Sequence, residues 1–145
     1  MKVKMIIVSV GSFFSWLLGG WDILLQWLLT FMIVDYVTGM ISAAINKKLS
    51  SKVGFKGIAK KVGILAVVAL AHGLDTLFAD PEANVFNIDM PLIRTVVIWA
   101  YIANEIVSIL ENVKGMGVTV PLPLQKILDL IQDRTENQNK GDEQA

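Results

Sequence analysis

Residues 46 to 61 read NKKLSSKVGFKGIAKK, with six lysines (Lys47, Lys48, Lys52, Lys56, Lys60 and Lys61) and no acid. A long apolar stretch lies on each side. Charge is scarce elsewhere: 18% of the 145 residues are charged and 54% hydrophobic, with a mean hydropathy of +0.57. A soluble domain carries about 25% charge. The charges are also segregated, because 5–21, 23–34, 36–46 and 62–74 contain no Asp, Glu, Lys or Arg. Mixed charge would indicate a soluble bundle; segregated charge indicates helices that cross a bilayer.

Working outward from the lysines, residues 23–45 form a segment long enough to span a hydrocarbon core of about 30 Å. Its apolar side chains favour insertion by roughly 3–6 kcal/mol, against a cost of about 2.5–3.5 kcal/mol for Asp35. Insertion wins, and the Asp35 carboxyl needs a partner or a proton. Downstream, 62–79 is a further span, and an N-terminal extension through the lysines is open. An acidic loop with Asp80, Glu82 and Asp89 follows. The last span is 91–113, where Pro91 suits a helix start. Upstream, 5–21 is short for a span, and Gly19-Gly20 breaks it. Asp22 is a natural N-cap for the next helix. Lys2 and Lys4 before an apolar run imitate a secretory signal, but Trp16 and Gly19-Gly20-Trp21 without an A-x-A site favour a retained segment.

The expected fold is all-α: an integral membrane protein with three or four transmembrane helices over residues 1–113. A linker at 114–121 leads to an amphipathic helix at 122–134, in which Leu124, Ile127, Leu128 and Ile131 share a face. The tail at 135–145 has no large apolar residue and is expected to be disordered. Short cytoplasmic loops are rich in Lys and Arg. The six lysines therefore belong inside, the acidic loop outside, and the C-terminus in the cytoplasm. Four spans would also put the N-terminus inside and gather Trp16, Trp21 and Trp27 at the outer interface; three would put it outside.

Ionisable groups within spans are functional candidates by default. Here they are Asp35, His72, Asp75, Arg94 and Glu105, with Asn104 beside them. An Asp75–Arg94 pair is one arrangement; a His72–Asp75 proton relay is another, less natural than packing. Small residues four apart let helices approach closely in lipid. Gly39/Ala43 and Ala69/Gly73 have that spacing, as do Thr38/Ser42 and Asn104/Ser108. Asp35, Gly39, Ala43, Ala69 and Gly73 are accordingly the candidate packing or self-association residues. No cysteine is present, so no thiolate chemistry is available. One histidine excludes a multi-His metal site, and no catalytic or phosphate-binding pattern appears. No cofactor is expected, and a net charge of zero gives no general attraction to nucleic acid.

Three stretches together carry a resemblance: WLLGGWD at Trp16–Asp22, VDYVTG at Val34–Gly39, and the lysine block Asn46–Lys61. The chain resembles the phage lysis and toxin-secretion holins of Gram-positive bacteria and their phages, over about residues 10 to 115. The resemblance implies a protein that self-associates in the cytoplasmic membrane and opens non-specific holes. An endolysin or toxin leaves through them without specific binding. It implies no cofactor and no catalytic residues. A small channel or transporter, or an antiholin that regulates hole formation, is the alternative. Met5 after Lys2 and Lys4 also raises a second translation start, whose product would lose two positive charges.

Overall fold

In the computed structural model, residues 2–83, 92–127 and 129–130 are described. Four helices run in order: α1 (Lys2–Leu17), α2 (Ile23–Ile45), α3 (Ser51–Ala79) and α4 (Ile93–Gly115). Residues 122–127 and 129–130 are also helical, where the amphipathic pattern lies. Among the described residues there is no strand. Pro91 and the tail at 135–145 lie outside the described residues.

Local chemistry sets the boundaries. Gly19 and Gly20 adopt φ of +83° and +101°, a left-handed turn that glycine makes without steric cost. It ends α1 short of the expected residue 21. Asp22 then caps α2, its Oδ1 accepting the Leu25 N–H at 2.9 Å. Ser50 caps α3 by accepting the Val53 N–H at 3.3 Å. The cap for α4 comes from another helix: Asp75 on α3 accepts the N–H of Ile93 and of Arg94, both at 2.9 Å. A carboxylate on those orphan donors also opposes the positive end of the helix dipole.

At 1.5 Å per residue, α2 and α4 reach about 35 Å and α3 about 43 Å. All three are long and apolar enough to cross a membrane; α1, with 16 residues, is below that length. α3 is longer than the expected span at 62–79 because Ser51–Lys61 continues the helix. That extension puts Lys52, Lys56 and Lys60 four residues apart on one face.

Contacts between helix ends define the topology. Asp22 and Arg94 join the starts of α2 and α4, and the Asn46 side-chain amide donates to the Gly115 carbonyl at their ends (3.1 Å). α2 and α4 therefore run parallel, and α3 runs back against both. Leu25, Leu28 and Met32 of α2, Ile64 and Val68 of α3, and Ile98 and Ile102 of α4 form the buried centre with Leu18. The remaining surface is greasy: Ile33, Leu70, Val96 and Trp99 are all more than half exposed. This distribution suits a lipid-facing exterior, where packing rather than water exclusion holds helices together.

Candidate functional site

Two polar layers cross the apolar bundle. The layer nearer the lysine-rich end centres on Lys61. Its Nζ donates to Asp35 Oδ2 at 2.8 Å and to Glu105 Oε2 at 2.6 Å, so one ammonium joins all three long helices. The Asn112 amide donates to Asp35 Oδ1 at 3.0 Å and to Thr38 Oγ1 at 3.3 Å. The Thr38 hydroxyl in turn donates to the Val34 carbonyl at 2.8 Å. Glu105 is fully buried, and its second oxygen, Oε1, has no hydrogen-bond partner among the described residues. Because charge within a bilayer is costly, a cation shared between two carboxylates is a strong tie.

The other layer closes the opposite end. Arg94 is buried; its Nε donates to the Leu18 carbonyl at 2.6 Å and its Nη1 to Asp22 Oδ2 at 2.5 Å. Burial tends to raise the Asp22 carboxyl. The Arg94 hydrogen bond and charge, with the Leu25 N–H, outweigh it and hold the group below the ordinary carboxylate value. A Cβ at Gly19 would lie 2.6 Å from Arg94 Nε and 2.7 Å from His72 Nδ1, so only glycine admits this clasp.

Several residues singled out in the sequence meet in these layers, in ways the sequence did not specify. The Asp35 partner is Lys61, the innermost lysine of the block, which the sequence offered only as a topology signal. Asp75 and Arg94 do meet, but through the Arg94 backbone; its guanidinium turns to Asp22. Both Asp75 oxygens accept α4 N–H groups, and among the described residues no hydrogen bond joins His72 to Asp75. Gly39 faces Asn112, whose Nδ2 would lie 3.4 Å from an added Cβ, whereas Gly73 has open space there. Ala69 packs against the buried centre; Ala43 is half-buried and Asn104 exposed. Lys47, Lys48, Lys52, Lys56 and Lys60 are exposed. Asn112 escaped notice, and Thr38 was noted only for its small-residue spacing, because uncharged polar residues near a span end are common. The available signal was the excess of acids over bases inside the spans, which requires donors nearby.

A bundle of apolar helices tied by buried ion pairs defines a small polytopic membrane protein. Comparison with known proteins gives the family. The model of the bacteriophage holin family matches residues 12–133, and the chain belongs to that family. The match extends past residue 115, where the sequence resemblance stopped. An uncharacterized protein of Listeria monocytogenes is 37% identical over 141 residues, covering 97% of this chain and 94% of the relative. An uncharacterized 14.9 kDa Clostridium perfringens protein, from the 3′ region of nagH, is 40% identical, covering 91% and 94%. A probable holin of Bacillus phage phi105 is 31% identical, covering 83% of each chain. No solved structure matches the chain. Family and helices together make this a membrane protein of a non-enzymatic class, with the lipid bilayer as its surroundings.

Proposed function

We propose that the chain is a holin proper: it accumulates in the cytoplasmic membrane, self-associates, and opens non-specific lesions that release an endolysin or a toxin. The observation that carries the reading is the match to the holin family across 12–133, joined by a phage relative named a probable holin. The fold is compatible. A hole former must insert as a stable small unit, and here each of the three long helices is tied to the others by the Lys61 pairs. It must also keep faces free for other copies.

Asp35, Gly39, Ala43, Ala69 and Gly73 are the proposed assembly residues. Asp35 and Gly39 are engaged with α4 in the single chain, so their use between copies requires exchange of the intramolecular contacts for intermolecular ones. Gly73 needs no such exchange. The lysines lie at the cytosolic face in this reading. Because α2 and α4 end together, the segment after Gly115 starts on the same side, which supports a cytoplasmic C-terminus.

Induced expression in bacteria tests the proposal. A holin gives a sudden loss of membrane potential, with release of a cytoplasmic reporter enzyme. Slow, ion-selective leakage without enzyme release would mean a channel. Harmless expression that delays lysis by a co-expressed holin would mean an antiholin.

A further inference from the structure

The first helix is anchored at one end only. Leu18 is buried with the apolar centre, and Gly19 sits against Arg94 and His72. The end of α1 is therefore fixed in the polar layer at the starts of α2 and α4. Residues 3–14, by contrast, are all exposed. A shallow hollow of about 770 Å³ takes Val8, Gly11, Ser12 and Ser15 from α1, and from the three long helices only His72. His72 stands about two turns before the end of α3, so α1 does not run down the bundle toward the lysines.

Sorted by helical angle, α1 has two sides. At about 100° per residue, Val3, Ile6, Ile7, Val10, Phe13, Phe14 and Leu17 fall within an arc of about 120°. The rest of the circumference carries every lysine, serine and glycine of the helix, with Met5, Val8 and Trp16. An apolar stripe opposite lysine and small polar residues is the pattern of a helix lying in the plane of a membrane. A helix that crosses lipid is apolar all round.

Length agrees. Lys4 stands fifteen residues before Gly19, about 22 Å along a helix, whereas the opposite headgroups are about 30 Å away. A short span can thin the bilayer. It would then turn the serines and Gly11 toward acyl chains, because the rest of the chain leaves residues 3–14 uncovered.

We propose that α1 lies in the lipid interface of the leaflet opposite the lysine-rich turn. Its stripe from Ile6 to Leu17 rests on the acyl chains, and Ser12 and Ser15 face the headgroups and water. The chain then crosses the bilayer three times, with its N-terminus on the same side as the α3–α4 connection. Calling that side the outside rests on the proposed cytosolic lysines; the place of α1 relative to the bundle does not.

Two measurements test this. Val3→Cys, Val10→Cys and Phe14→Cys, all on the stripe, carry a fluorophore in the full chain reconstituted into phosphatidylcholine–phosphatidylglycerol vesicles. Lipid nitroxides near the headgroup or deep in the acyl chain quench it. An in-plane helix gives shallow-to-deep quenching ratios equal within about twofold at the three sites, with shallow quenching the stronger. Deep quenching dominant at Val10→Cys and shallow at the two flanking sites would mean a fourth span and overturn the proposal. Loss of both kinds of quenching would mean that another copy covers the stripe, and would overturn it too. Depth is blind to sidedness, so this result is separable from the orientation of the protein. The second measurement is labelling of right-side-out spheroplasts with an impermeant maleimide. Met5→Cys, which keeps Lys2 and Lys4, is expected to label as Glu82→Cys does and opposite to Lys47→Cys, whichever way the bundle points. Labelling of Met5→Cys in step with Lys47→Cys would overturn the proposal.

Discussion

Lys61 is the residue on which the membrane interior depends most. It is the only cation paired with Asp35 and Glu105 among the described residues, and side-chain exposures of 13%, 12% and 0% leave water little role. Lys61→Met strands two carboxylates in a low-dielectric region. Removing one partner of a buried pair costs about 3–5 kcal/mol. K61M is therefore expected to unfold at clearly lower SDS fraction in mixed micelles. K61M/D35N/E105Q, which removes all three charges, is expected to recover most of the loss. A second prediction concerns the glycine turn. Gly19→Ala meets both left-handed strain and the Arg94 and His72 side chains. Gly20→Ala meets the strain in open space. Losses of about 3 and about 1 kcal/mol respectively are expected in the same unfolding assay.

At the scale of elements, the clasp between the α1–α2 turn and the start of α4 gives a pH dependence. The Asp22 carboxyl is held low in the folded chain. Its contribution is thus present above the unfolded value of about 3.9 and is lost as pH falls through the folded value. Asp22→Asn keeps an N-cap side chain but cannot titrate. The stability advantage of wild type over D22N should accordingly shrink between pH 6 and pH 3 in parallel thermal melts. Asp22 is partly exposed, so the advantage is small and falls with salt. Helix faces supply a fourth prediction. Gly39→Leu drives a side chain into Asn112 and disturbs α2 against α4, so it should lower both monomer stability and lysis. Gly73→Leu adds its Cβ where no described atom lies within 4 Å. It should leave unfolding within about 0.5 kcal/mol of wild type while delaying lysis, if its face assembles; unchanged lysis timing would remove Gly73 from the assembly surface.

For the whole molecule, the parallel arrangement of α2 and α4 ties topology to one measurable fact. If the lysine-rich turn is cytosolic, the start of the C-terminal segment is cytosolic and the α3–α4 connection is outside. The chain contains no cysteine, so single cysteines report cleanly. Lys47→Cys should resist a membrane-impermeant thiol reagent in intact cells and react after permeabilisation. Glu82→Cys should react in both. The reverse pattern would invert the proposed orientation and place the lysines outside.

The division between sequence and tertiary structure follows from range. Charge segregation and hydropathy act locally, against the bilayer, so, while the status of 5–21 as a fourth span was left open, the approximate place of the three long helices was legible before any packing was known. So were Asp22 as a cap, the break at Gly19-Gly20, and the need of Asp35 for a partner. The identity of that partner was not legible, because Lys61 lies 26 residues away from Asp35 and 44 from Glu105. A residue that reads as the last member of a topology signal becomes a counter-ion only when α3 runs back between two parallel helices. The same holds for Asp75, whose role as a cap depends on where α4 begins in space. By itself the sequence determined that the chain enters the membrane and which segments do so. Only the tertiary structure decided which charge meets which, because a bilayer sorts residues by polarity while pairing depends on helix direction, rotation and depth.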